Sequence, residues 1–193
     1  MSFDLETRRI RLREIEDRDL LAIFQWRNTE KFRFFFHRDD NIKTYEEFFE
    51  EFKSEAPFYR YLFIIEKKES NEPIGLTFIH NFSETYHTCF INIFISEPFE
   101  HRGFGTDVFV QLVLFLFDHA GLKRLFAQAS DYNKHSLECM RNMGMKELVG
   151  NIEKRIYEGE EHDVLCFAAD ESLLPKLKII NRFLTKEITN HLN

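Results

Sequence analysis

The chain has 193 residues, 44% of them hydrophobic and 23 of them phenylalanine, which suits one domain with a large aromatic interior and about twenty residues of extension. Its net charge of −7 and pI near 5.7 argue against a nucleic-acid partner, which needs a basic face, and are compatible with a cationic amine substrate. Three cysteines, Cys89, Cys139 and Cys166, are widely spaced and odd in number, so neither a disulfide framework nor a metal site is expected, and a reducing, cytoplasmic setting fits best.

The N-terminus, Met1 to Glu6, lacks the basic and apolar regions of a signal peptide. From Arg8 to Ile15 charged and apolar residues alternate, the period of a half-buried strand. Asp17 or Asp19 can cap a first helix that buries Leu20, Ile23, Phe24 and Trp26 and ends in Arg27 as a solvated or salt-bridged terminus. Lys31 to Arg38 is too aromatic for an ordinary loop, and reads as a loop pinned into the core by its Phe residues. Thr44-Tyr45-Glu46-Glu47 is a capping box for a second helix with Phe48, Phe49 and Phe52 on its apolar stripe, and its five glutamates (46, 47, 50, 51 and 55) are expected to face water.

Tyr61–Glu66 and Pro73–Ile79 form a hairpin about a polar turn, and residues 80 to 87 connect it to a strand over Thr88–Ser96. That strand runs through Pro98 into Glu100-His101-Arg102-Gly103-Phe104-Gly105-Thr106, then into an apolar helix that Ala120-Gly121 ends. Glycines at 103 and 105 allow positive φ and close approach of a ligand to the main chain, and the free N–H groups of the helix start make an anion seat. The run Val108–Phe117, interrupted by Gln111, is too short for a membrane span and reads as a core helix. A strand over Arg124–Ala129 precedes Asn133 and a short helix to Met145; Glu147–Val149 and Tyr157–Phe167 give two last strands about the turn at Glu158-Gly159. Ser172 to Leu192 is helical, with Leu173, Leu177, Ile180, Leu184 and Ile188 on one stripe that must bury on its own domain or on a second subunit in a homodimer.

The loop from Glu100 to Gly105 and the Asn133–Met145 segment, in this order and at this distance, resemble the pyrophosphate loop and the Asn-x-x-Ser/Ala helix of the GNAT superfamily of acyl-CoA-dependent N-acyltransferases, most nearly its ribosomal-protein and polyamine branches. The resemblance implies an α/β (α+β) fold: a mixed, strongly bent sheet of six to seven strands flanked by four helices over residues 1–169. Residues 170–193 are then an added C-terminal helix. It implies acetyl-CoA as cosubstrate, its pantetheine arm on the main chain of Ile93, Phe94 and Ile95 with Asn133 on the other side. The diphosphate then lies on His101, Arg102, Gly103, Phe104, Gly105 and Thr106. The acceptor implied is a small-molecule amine or a protein N-terminus, with Trp26, Arg27 and Phe35 near it.

The chemistry implied is direct attack of a neutral amine on the thioester, which requires a base and a donor for the leaving sulfur. Met140 stands where many relatives place a tyrosine donor, and Ser136, one helical turn earlier, is the nearest substitute. The carboxylate of polyamine-type relatives would fall near Phe90 and is missing, which leaves Glu84, with His80 and His87, as base candidates around the preceding hairpin. Cys139 has no sequence partner that would make it a nucleophile. Two departures stand in the loop: Glu100 replaces a usual Arg or Gln and is expected to point outward, and His101 replaces a usual glycine. Met140, Phe90 and Glu100 also motivate a second reading, a coenzyme-binding module with weak catalysis. An ATP loop is disfavoured because no Gly-Lys-Ser/Thr follows the glycines.

Overall fold

The computed structural model describes residues 5–36, 43–55, 58–150 and 153–186. In chain order its elements are β1 (Ile10–Glu14), α1 (Leu20–Arg27), α2 (Glu30–Phe36), α3 (Tyr45–Glu55), β2 (Tyr59–Lys67), β3 (Glu72–Ser83), β4 (Thr88–Ile95), α4 (Phe104–Asp118), β5 (Arg124–Ser130), α5 (Lys134–Met143), β6 (Lys146–Glu147), β7 (Glu153–Tyr157), β8 (Glu160–Asp170) and α6 (Leu174–Thr185). One eight-stranded sheet has the order β1-β2-β3-β4-β5-β8-β6, with β7 also on β8. It exceeds the expected six or seven strands because the final segment divides at Glu158-Gly159. Both residues take positive φ there, so the chain reverses in two residues and β7 becomes a strand of its own.

Two cores lie on opposite faces of the sheet. On one, α4 brings Val108, Leu112, Phe115 and Leu116 against Ile10, Ile65, Ile79 and Leu125. On the other, Ile23, Trp26, Phe32 and Phe48 of α1, α2 and α3 close over Ile64, Leu76, Phe78 and Phe94. Successive strand residues point to opposite faces, so neighbours such as Ile64 and Ile65 serve different cores and both are fully buried.

The aromatic segment after α1 is a helix, not a loop. Thr29 accepts from the N–H of Phe32 (3.1 Å), satisfying a helix-start donor and turning Phe32 and Phe36 toward the second core; His37 and Arg38 lie outside the described residues. The capping box forms as expected, Thr44 and Glu47 exchanging hydrogen bonds of 2.7 and 3.3 Å. Glu51 does not face water: it accepts from the Arg27 guanidinium at 2.9 Å and lies 3.4 Å from Lys43. Asp19 does not cap α1 either, because its carboxylate takes both terminal nitrogens of Arg13 (2.6 and 2.8 Å).

The C-terminal helix packs on its own domain. Leu177 is fully buried, Gln111 of α4 donates to Asn181 (2.6 Å), and the Arg8 N–H donates to the Leu184 carbonyl (3.0 Å). Ile188 of the expected stripe lies beyond the described residues.

Candidate active site

Strands β4 and β5 run parallel and pair at three positions only, Thr88↔Arg124, Cys89↔Leu125 and Phe90↔Phe126. Beyond Phe90 they diverge, and a cleft of about 420 Å³ opens between them, lined by Ile91, Ile93 and Ile95 on one lip and Ala127, Gln128 and Ala129 on the other. The fold therefore leaves sheet edges unpaired inside the molecule, where a ligand can complete them.

Which edge groups are free follows from the ladder between β3 and β4. The Ser96 N–H donates to Ile74 (2.9 Å), and hydrogen-bonded pairs recur every second residue in an antiparallel ladder. Phe94 and Asn92 therefore spend their main chain on β3, which fits the bond from the Thr77 hydroxyl to the Asn92 carbonyl (2.7 Å). Ile91, Ile93 and Ile95 direct theirs away from β3, into the cleft. The expected trio is thus divided: Ile93 and Ile95 line the opening, while Phe94 is buried in the second core and does not. Gly75 allows this close registry, since a Cβ there would lie 2.1 Å from the Phe94 carbonyl oxygen.

One end of the cleft is closed by the glycine loop. Gly103 is left-handed (φ 78°) at the cap position of α4 and contributes no side chain, and His101 is also left-handed (φ 56°). Among the described residues, nothing accepts from the N–H groups of His101, Arg102, Gly103, Phe104 and Gly105. A Cβ on Gly105 would meet nothing within 4 Å. This is an anion seat of unpaired donors at the positive end of a helix dipole. The Thr106 N–H is not part of it, because it donates to Gly103 (3.1 Å) to close the first turn. Arg102 contributes main chain only: its guanidinium stands over the Phe99 ring, 5.7 Å from the centroid, and does not line the cleft.

Glu100 does not point outward. Its carboxylate is largely covered and ion-paired with Lys31 of α2, so its charge is neutralised at the cleft wall. The loop shape also brings the His101 ring 4.8 Å from that of His135 in the first turn of α5. Burial first, then the positive charges of His101 and Lys31, hold the His135 imidazolium below its usual value. Cys139, one turn on, lies 3.6 Å from the His135 Nε2, but burial raises its thiol, so it stays protonated.

Asn133 is buried and caps α5, its Oδ1 accepting from the Ser136 N–H (3.1 Å), and both residues line the cleft beside Met140. Phe35 and Phe36 of α2 also line the cleft, Phe35 under the Lys31 ammonium that pairs with Glu100. Trp26 and Arg27 are elsewhere: Trp26 packs on Phe94 (ring centroids 6.0 Å apart) and Arg27, 3% exposed, is held by Glu51, so neither lines the cleft. Glu84 is 82% exposed on the β3–β4 hairpin near Arg60, also off the cleft, and His80 lies among the rings of Phe78 and Phe90. His135 and the Lys31–Glu100 pair escaped sequence reasoning. No spacing in the sequence signals them, because only folding brings residues 31, 100 and 135 together.

Comparison with known proteins gives the family and the fold. Residues 9–146 match the acetyltransferase (GNAT) domain family. The chain is 27% identical over 148 residues to the uncharacterized N-acetyltransferase YoaA of Bacillus subtilis, covering 74% of this chain and 82% of that protein. Among solved structures, the spermidine N-acetyltransferase of Vibrio cholerae in complex with CoA and spermine superposes with a TM-score of 0.75 at 18% identity, over 86% of this chain and 98% of that one. A GCN5-related N-acetyltransferase from Brucella melitensis gives a TM-score of 0.75 at 18% identity, over 92% of this chain and 83% of that one. At such identities the structural likeness is one of fold, and it is the domain match across most of the chain that shows the protein to belong to the GNAT family of N-acetyltransferases.

Proposed function

We propose that the protein transfers an acetyl group from acetyl-CoA to a primary amine by direct attack in a ternary complex. The observation that carries this reading is the pairing of an anion seat with unpaired strand edges at the two parts of one cleft. Free N–H groups from His101 to Gly105 suit a diphosphate, and the main chain of Ile93 and Ile95 suits the amide-bearing pantetheine arm. Asn133 adds an amide on the facing side. When bound, acetyl-CoA supplies an activated thioester; the chain's own residues bind it, orient it and handle protons.

Met140 can donate no proton, so Ser136, the hydroxyl that lines the cleft beside it, is assigned as donor to the leaving sulfur. Among the described residues Glu100 is the lone carboxylate on the cleft wall, and Lys31 already neutralises it, so the base at hand on the wall is an imidazole, that of His135 or His101. The rings of Phe35 and Phe36 disfavour the charged form of an incoming amine. That suits an α-amine, which ionises near about 8, better than a polycationic alkylamine ionising above about 10. A protein N-terminus is therefore favoured over the polyamine of the Vibrio cholerae relative, with amino sugars and other small amines as further acceptors. The unpaired cysteines support a reducing, cytoplasmic setting.

Free-thiol release from acetyl-CoA, followed with peptides bearing free N-termini, spermidine and glucosamine, tests the reading. Turnover greatest with the peptides is expected, and Ser136→Ala should lower kcat more than coenzyme affinity. Tight CoA binding without turnover on any amine would favour the coenzyme-binding module that Met140 and the neutralised Glu100 suggest. Absence of CoA binding would remove both readings.

A further inference from the structure

The anion seat is oriented from behind by a residue ninety-odd positions away in sequence. Arg9, just before β1, donates from Nη1 to the Arg102 carbonyl (2.8 Å) and from Nη2 to the Gly103 carbonyl (3.1 Å). Its Nε and Nη2 also reach the Asp107 carboxylate (3.1 and 2.5 Å), and its guanidinium lies 5.0 Å from the Phe104 ring centroid. Asp107 is fully buried in α4, where an unpaired carboxylate would be costly, and its second partner is the Thr7 hydroxyl (2.8 Å). Thr7 in turn accepts from the N–H groups of Arg9 and Ile10 (3.1 and 3.2 Å), so the start of β1 is fixed to the start of α4.

The consequence for the cleft comes from peptide geometry. In a planar trans peptide the C=O of one residue and the N–H of the next point in opposite directions. With the carbonyls of Arg102 and Gly103 both turned to Arg9, the N–H groups of Gly103 and Phe104 must point away from it. Gly103 and Phe104 line the cleft and Arg9 does not, so those two donors face the opening. A guanidinium forks onto two carbonyls and a carboxylate at fixed angles; a lysine ammonium supplies the charge without that fork.

We propose that Arg9 is a positioning residue for acetyl transfer: it holds two loop carbonyls away from the cleft so that the donors of Gly103 and Phe104 are preset for an anion. This rests on the coenzyme reading of the seat given above, and acts on binding, not on the acyl chemistry.

The decisive variant is Arg9→Lys, which keeps a cation for buried Asp107 and so preserves folding. Titration calorimetry with CoA should show about a tenfold or greater loss of affinity in Arg9→Lys, the scale of losing aligned hydrogen bonds to an anion. Its melting temperature should stay close to that of the unaltered protein. In amide NMR spectra, CoA should move the Gly103 and Phe104 resonances of the unaltered protein and leave those of Arg9→Lys much less changed. In turnover, KM for acetyl-CoA should rise while kcat at saturation is kept. If Arg9→Ala unfolds by stranding Asp107, the Arg9→Met, Asp107→Asn pair carries the same measurement without a buried charge. A folded Arg9→Lys variant that binds CoA as tightly as the unaltered protein would overturn the proposal. If the unaltered protein binds no CoA, the coenzyme reading itself fails, and the role of Arg9 with it.

Discussion

At the scale of single residues, the seat turns on atoms that are missing. Gly105 has open space where a Cβ would stand and lines the cleft. Gly105→Val should put a branched side chain into that space and weaken CoA binding about tenfold or more, measured by calorimetry, since each charge-assisted bond to an anion is strong. His135 gives a second, pH-dependent outcome. Burial, His101 and Lys31 keep its imidazole neutral in the free protein at pH values where a free imidazole is partly charged. An anion on the seat opposes those effects and raises its proton affinity, so binding takes up a proton and strengthens as pH falls through the imidazole range. CoA affinity should therefore gain more between about pH 8 and about pH 6 in the unaltered protein than in His135→Asn, whose slope also removes the coenzyme's own titration from the comparison. Equal slopes would show that His135 does not sense the ligand.

At the scale of elements, α2 and α6 show what periodicity can and cannot convey. The Phe-rich segment has no clean stripe, because Phe32 faces a core, Phe35 the cleft and Phe36 both, so a short helix serving two surfaces reads as an anomalous loop. The stripe on α6 was legible, but its partner was not: Leu177 finds a site on its own domain, held by the Gln111–Asn181 bond. Leu177→Ala should cost about 2–5 kcal/mol of stability by cavity formation, read from denaturant unfolding. Because α6 packs on α4 and not on the cleft, CoA affinity at a temperature where the variant is folded should be unchanged.

At the scale of the whole molecule, β1, β2 and the start of α1 are tied by a charge network. Arg13 binds Asp19 through two nitrogens and Glu66 through Nε (2.6 Å), with both carboxylates buried. Burial works against the charged Asp19, but the Arg13 bonds and the Glu16 N–H outweigh it and hold the carboxyl below its usual value. A carboxyl depressed in the folded state contributes stability that is complete above its unfolded value and is lost as pH falls through the folded one. Asp19→Asn should thus lower the melting temperature at neutral pH, with the deficit shrinking as pH falls below the ordinary carboxylate value of about 4 and through the lower folded one.

The sequence by itself determined the family, the order of strand, glycine loop and apolar helix, and the capping box at Thr44 and Glu47. These depend on local spacing, on glycine's freedom at positive φ and on short-range hydrogen bonds, all written within a few residues. Tertiary structure decided the rest. Register against β3, not residue type, assigns Ile93 and Ile95 to the cleft and Phe94 to the core. Chain reversal brings Lys31 to Glu100 and His135 to His101, and carries Glu84, Trp26 and Arg27 away from the opening. A carboxylate at position 107 in the first turn of an apolar helix, buried once the helix packs, must have a partner, because a buried charge cannot stand alone. That the partner is Arg9, and that it turns the loop's carbonyls from the cleft, is set by packing β1 against α4.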